Sequence, residues 1–370
     1  MRQPHLLVVA GDPSADEHAA GLVRSLRQRL PGLRVTALGG NHLKNVSDHF
    51  LYPLVGVGGF GFLEPILKIP ELWRVRRSID RLLQTDTPNV VLPCDYYGFN
   101  IHVAEAAHRR KVPVIYFISP QVWASRPGRI QRLGKVIKKM LVIFPFEEKL
   151  YRDAGVDAVY VGHPLVDRLP TPADPGPTVR IGLLPGSRKG VALRHLPLLA
   201  ETADRLHARY PETELILFRA QNLDAALFEP WTQSRPWIRL EVDGSLELRR
   251  TLSLAIGVSG TAALENTLLG IPMVIMYRLS TVTYQIAKRL IRIPFVGIPN
   301  ILAGRSIVPE LLQDDATPDK LAAEAAAILH DEPRRRRMRE ELLALRGTLQ
   351  TGATDRAAEE IIRFLAHPTS

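Results

Sequence analysis

Five loops of the 370-residue sequence bring glycine together with side chains able to hold an anion or move a proton, and four of them follow a short apolar run. The first is Gly11-Asp12-Pro13-Ser14-Ala15-Asp16, in which Asp12 or Ser14 can cap the helix that follows. The second is Asp95-Tyr96-Tyr97-Gly98-Phe99-Asn100. An aspartate directly beyond a buried strand end suits acid–base work, and it suits a plain helix cap equally well. The third, Pro185-Gly186-Ser187-Arg188-Lys189-Gly190, sets hydroxyl, guanidinium and ammonium donors between glycines ahead of a helix. That mixture suits a phosphate cradle more than a simple turn, although the Walker spacing is absent and ATP hydrolysis of that type is disfavoured. In the fourth, Ser259-Gly260-Thr261-Ala262-Ala263-Leu264-Glu265, backbone amides and hydroxyls suit a second phosphate contact. Glu265, one turn into the helix, could accept from ribose hydroxyls or simply complement the helix dipole. The fifth, Pro299-Asn300-Ile301-Leu302-Ala303-Gly304-Arg305, has no recognisable spacing of its own. No Asp-x-Asp pair, His-Glu-x-x-His or Gly-x-Ser-x-Gly occurs, and His163 in VGHPL reads as a loop-end hydrogen-bonding group.

Loops of this kind need strands to end where they begin. Short, mostly apolar runs at Leu6–Ala10, Val35–Leu38, Val90–Pro93, Val114–Ile118, Met140–Phe144 and Val159–Val161 alternate with helical stretches. That is the pattern of a parallel sheet covered on both faces. PTPADPGP at 170–177 holds four prolines in eight positions and reads as a linker. The alternation restarts at Ile181–Leu184, Leu215–Phe218, Ile238–Val242, Leu254–Val258 and Met273–Met276. The expected fold class is therefore α/β, with domains at 1–169 and 178–350. A last segment, 351–370, carries Ala357, Ala358, Ile361, Ile362 and Leu365 at helical spacing, and this helix is expected to pack back on the first domain.

Composition narrows the ligand class. Apolar residues are 46% and charged residues 23%, values of an ordinary globular chain. A formal charge of +10 favours a polyanionic partner. With aromatics at 6% and not interleaved with the basic residues, nucleic acid is not expected. The single cysteine, Cys94, excludes an internal disulfide and any multi-cysteine metal site and fits a reducing compartment. The apolar opening LLVVAG is too short for a signal peptide, and no run reaches transmembrane length. Two stretches suggest peripheral contact with an anionic membrane instead. GVGGFG at 56–61 continues into Phe62, Leu63, Pro65, Ile66 and Leu67, which suits acyl chains or a bilayer and suits a tight turn opening a buried helix nearly as well. Arg126, Arg129, Arg132, Lys135, Lys138 and Lys139 are expected on one side of a helix backed by Ile130, Leu133, Val136 and Ile137, a face that is either simply solvated or, by its all-basic sign, directed to an anionic surface. The run Arg334–Arg337 reads as an exposed helix end.

Taken in order, LLVVAGDPSADEHAAGLVRSL, GFLEPI, YFISPQVWASRPGRIQRLGKV, FPFEEKLY, VGHPL, LLPGSR, SGTAALENTLLGIPMVIMYR and IPNILAGRSIVPELLQ resemble the lipid-A-disaccharide synthases. The resemblance covers nearly the whole chain and implies a GT-B fold, two facing Rossmann-like α/β domains with a cleft between them. It implies an inverting glycosyltransferase that condenses UDP-2,3-diacylglucosamine with 2,3-diacylglucosamine 1-phosphate, with no metal and no cofactor, on the inner face of the cytoplasmic membrane. By the same resemblance Asp95 is the catalytic base and Arg188 stabilises the departing UDP. Gly186, Ser187, Ser259, Gly260, Thr261, Glu265, Asn300 and Arg305 bind the donor, while Asp12, Ser14, Asp16, Phe99 and Asn100 lie on the acceptor side. The sequence departs from the family pattern at Asp12 and Ala15, at Tyr97 and Gly98 in place of proline and a second aspartate, and at Val191 in place of glutamate. Donor features are kept and acceptor features have drifted, which leaves open a paralogue, a UDP-sugar transferase or epimerase using another acceptor, or a catalytically silent lipid- or nucleotide-binding protein.

Overall fold

The computed structural model describes residues 3–55, 69–121, 128–243, 246–280, 283–285 and 294–366. The GVGGFG stretch with Phe62 to Leu67, and residues 122–127 with Arg126 among them, lie outside that set. Close contacts divide the chain into two compact units, one built from Met1–Asp167 and Leu349–Ser370, the other from Arg168–Arg289 and Ile293–Thr348.

The first unit holds a seven-stranded sheet in the order β3-β2-β1-β4-β5-β6-β7. Its strands are β1 His5–Ala10, β2 Arg34–Gly39, β3 His49–Pro53, β4 Val90–Cys94, β5 Ile115–Phe117, β6 Lys139–Val142 and β7 Ala158–Tyr160. All pairings are parallel, and every residue of β1 and β4 is buried. Burial on both faces is why these strands read as unbroken apolar runs. The second unit holds a six-stranded parallel sheet, β10-β9-β8-β11-β12-β13. Its strands are β8 Arg180–Leu184, β9 Glu214–Ala220, β10 Ile238–Asp243, β11 Leu254–Val258, β12 Met273–Tyr277 and β13 Glu310–Leu312.

In each sheet the chain winds outward from the first strand and then returns to that strand's other side. The reversal falls between β1 and β4 in one unit and between β8 and β11 in the other. Ligands of open α/β sheets bind beyond the carboxyl ends of the strands at such points. Four of the five chemistry-bearing loops follow β1, β4, β8 and β11.

The structure corrects two expectations. β3 and β13, absent from the strand reading, are edge strands whose residues stay partly exposed, so they lack the continuous apolar signal. The basic helix expected across residues 126–139 ends at Gly134, and Lys139 opens β6, where it pairs with Asp157 at 3.3 Å and Glu360 at 3.1 Å. Neither Lys138 nor Lys139 shares a helical face with Arg129 and Arg132. The proline-rich segment is held to the second unit, where Arg346 and Arg339 donate to the carbonyls of Pro170 and Ala173 at 3.4 and 2.8 Å. The same guanidinium groups reach Leu268 and Gly270 at 2.7 and 2.9 Å, satisfying carbonyls at the end of the helix Thr261–Leu269.

The helix Ala353–Ala366 returns to the first unit and packs against the helix Pro13–Arg29. Asp167 accepts from the amides of Gly352 and Ala353 at 2.8 and 3.3 Å, and Asp355 accepts from Ser25 and Arg29 at 2.9 Å each. These contacts hold Asp355 below the usual carboxylate range, with the Ser25 hydroxyl as the largest cause and Arg29 next.

Candidate active site

In the first unit the loops after β1 and β4 lie side by side, since Ala10 pairs with Cys94. Asp12 caps the helix Pro13–Arg29 by accepting from the Ala15 amide at 3.2 Å, and Ser14 is half-buried beside it. Gly11 is there for space. A Cβ on it would fall 2.1 Å from Cδ1 of Tyr96, whose ring lies against the loop. Gly11→Ala is therefore expected to expel that ring and to cost about 1–3 kcal/mol. Urea unfolding would read this as a lower midpoint, accompanied by loss of turnover because Asp95 precedes Tyr96. Burial raises the Cys94 thiol pKa well above its ordinary value, helped by Asp95, Asp12 and Asp16, so the three carboxylates converge around one strand end.

Asp95 is half-buried and takes a left-handed conformation, φ +47°, followed by Tyr96 at +42°. Two consecutive non-glycine residues in that region are uncommon and store strain. Asn100 is fully buried, and its Nδ2 donates to the carbonyls of Cys94 and Asp95 at 3.1 and 2.9 Å. Phe99 belongs to the hydrophobic core of this unit. Asp16, 2% exposed, accepts from the amides of Gly40, His42 and Leu43 at 2.6, 3.0 and 3.2 Å. These three side chains thus shape the loops from behind. His163 receives the Leu165 amide on Nδ1 at 3.2 Å, and burial, with His18 nearby, pushes its pKa down to about 3. It is neutral, as suits a loop-end acceptor.

In the second unit Gly186, φ +105°, turns the chain out of β8 where a Cβ would press on Val191 and Val258 at 3.0 Å. Ser187 and Arg188 are exposed beyond it, Arg188 standing at the amino-terminal cap of the helix Lys189–Arg209. Gly260 caps the helix Thr261–Leu269, exposed and with open space where a side chain would be. Two helix amino termini therefore emerge from adjacent strands, an arrangement that favours an anion.

The fifth loop is tied to the fourth by a continuous hydrogen-bond chain. Ser259 Oγ donates to the Val296 carbonyl at 2.7 Å, and the Val296 and Gly297 amides donate to Glu310 at 2.9 Å each. Glu310 also accepts Nδ2 of the fully buried Asn300 at 2.7 Å, and Asn300 Oδ1 receives the amides of Ile307 and Val308 at 2.7 and 3.0 Å. Asn300 is a brace for the loop, while Arg305 is exposed and pairs with Glu341 at 3.1 Å. Glu265 pairs with Arg249, itself 1% exposed and shared with Asp243. Burial raises the Glu265 pKa against the opposing pull of Arg249. Sequence reasoning missed Arg249, Glu310 and His195. Fully buried His195 bonds the Val191 carbonyl through Nδ1 at 2.8 Å and accepts the Arg278 amide on Nε2 at 2.9 Å. No spacing signal marks these partners, because each is met through folding.

A family profile described as lipid-A-disaccharide synthetase matches residues 6–362. The chain belongs to the lipid-A-disaccharide synthetase family. The lipid-A-disaccharide synthase of Geobacter sulfurreducens is 37% identical over 373 residues, covering 97% of both chains, and that of Myxococcus xanthus is 35% identical over 376 residues, covering 98% of both. Among solved structures, the UDP-GlcNAc 2-epimerase from Neisseria meningitidis bound to UDP-GlcNAc is 12% identical with a TM-score of 0.67, covering 97% of this chain and 100% of that one. The glycotransferase of kitacinnamycin is 18% identical with a TM-score of 0.62, covering 98% and 100%. The fold is GT-B, and a lipid-A-disaccharide synthetase is a glycosyltransferase. Val191 is buried against Gly186 and makes an apolar contact under the third loop.

Proposed function

We propose that this chain transfers diacylglucosamine from UDP-2,3-diacylglucosamine to 2,3-diacylglucosamine 1-phosphate, forming the β-1,6-linked disaccharide phosphate of lipid A and releasing UDP. The end-to-end family match carries this reading, and it favours lipid A disaccharide formation over another UDP-sugar activity. The UDP-sugar donor belongs to the second unit and the acceptor to the first. The acceptor hydroxyl attacks the anomeric carbon on the face opposite the diphosphate. Its proton passes to Asp95 as the new C–O bond forms, and the bond to the β-phosphate oxygen breaks in the same displacement, inverting the configuration. Arg188 and the amino terminus of the helix Thr261–Leu269 face the charge that grows on UDP, with Glu265 toward the ribose.

The acylated substrates favour a peripheral place on the inner face of the cytoplasmic membrane. Among the described residues no helix is long and apolar enough to cross a bilayer. The helix Ile69–Thr85 exposes Trp73 together with Arg74, Arg77 and Arg81, an aromatic and cationic set suited to an anionic headgroup layer. Purified protein given both acylated substrates is expected to release UDP and form disaccharide phosphate. Donor binding without UDP release would overturn the assignment.

A further inference from the structure

The candidate base has both its backbone amide and its backbone carbonyl held by two hydrogen bonds each. Asp95 donates its amide to the carbonyls of Phe117 and Ile118 at 3.2 and 3.1 Å. Its own carbonyl accepts Asn100 Nδ2 at 2.9 Å and the hydroxyl of Tyr116 at 2.5 Å. Both donors are fully buried, so neither reaches a ligand. Ile118, which receives the Asp95 amide, is itself at φ +62°, a rare conformation for a β-branched side chain. Three strained residues, Asp95, Tyr96 and Ile118, thus gather at the carboxyl ends of β4 and β5. Strain of this sort persists only where surrounding contacts over-determine it, and it collects at working sites.

The next layer is pinned as well. Ser119 donates to Glu147, which is 1% exposed and also accepts the Phe144 amide at 3.2 Å. The hydroxyl of Tyr151 reaches the Pro120 carbonyl at 3.4 Å. The β5 loop is therefore fixed from below while it fixes Asp95 from the side. None of these bonds involves the Asp95 carboxylate. All of them determine where its Cα–Cβ bond points.

We propose that Tyr116 is a positioning residue for the transfer: its buried hydroxyl, acting with Asn100 on the Asp95 carbonyl, holds the base in the left-handed conformation that directs its carboxylate to the acceptor hydroxyl. This rests on Asp95 being the base. Relaxation of Asp95 toward ordinary backbone geometry would swing the carboxylate away without changing its chemistry. Misplacement by about 1 Å suffices to cost about 100-fold in rate.

Tyr116→Phe removes one oxygen and keeps the ring in the core. Its kcat is expected to fall about 10- to 100-fold with the KM of both substrates and the UDP affinity unchanged. Asn100→Ala, which removes the other donor to the same carbonyl, is expected to show the same split. The double variant Asp95→Asn/Tyr116→Phe should be no slower than Asp95→Asn alone, because Tyr116 acts through Asp95. A lower melting temperature with unchanged kcat would make Tyr116 merely structural and overturn the proposal. Normal turnover in Asp95→Asn would instead remove Asp95 as base, a failure distinguishable from that of Tyr116.

Discussion

Asp95→Asn is expected to lower kcat by about 10²- to 10⁴-fold, the range general-base catalysis supplies, with UDP affinity unchanged. The substitution is nearly isosteric. It leaves intact the bonds from Tyr116 and Asn100 to the Asp95 carbonyl and the Asp95 amide's bonds to Phe117 and Ile118, so the loop keeps its shape. What disappears is an acceptor for a full proton. A carboxylate is a weak base toward an alcohol in its ground state, and transfer becomes favourable only as the hydroxyl oxygen bonds to the anomeric carbon. The loss should therefore fall on kcat and kcat/KM together rather than on KM, the signature of an interaction made only in the transition state. Steady-state rates with saturating donor, alongside calorimetric titration with UDP, separate the two.

Arg188→Ala is expected to act on the other end of the same displacement. Breaking the bond from sugar to phosphate places growing charge on the β-phosphate, and loss of one well-placed donor there costs about 10²- to 10³-fold in kcat. UDP carries much of that charge in the ground state too, so its affinity should also fall, unlike the Asp95 case. Arg188 stands exposed at the cap of the helix Lys189–Arg209. Arg188→Lys should restore part of the affinity but less of the rate, because an ammonium keeps the charge and loses the two-pronged geometry. Equal kcat in wild type and Arg188→Ala would remove Arg188 from the leaving-group role.

Much of this architecture is readable in the residue string because buried parallel strands must be apolar along their whole length. β1, β4, β8 and β11 follow the runs around Leu6, Val90, Ile181 and Leu254, so the sequence itself marks the loops after them. The edge strands β3 and β13 escape such reading because their outer side chains remain wet. Charge periodicity misled at Lys138 and Lys139, where Gly134 ends the helix and a strand follows. Within the loops, residue type announces the polar groups but not their division of labour. Asp12 and Asp16 are alike in the sequence, yet one caps its own helix and the other binds three amides at the start of the helix Asn41–Lys44. Asn300 spends its amide within the fold, and the Glu310 that completes its set comes from an edge strand with no spacing to betray it. Tyr116, inside an apolar run, shows its purpose only once β5 pairs with β4.

The most direct test of the central claim is the anomeric configuration of the product, read by proton NMR on disaccharide phosphate formed from the UDP-activated donor and the phosphorylated acceptor. A single inverting displacement with Asp95 as base predicts a β-linked disaccharide, one UDP per linkage and no covalent glycosyl-enzyme. An α-linked product, or UDP released without disaccharide, would contradict it.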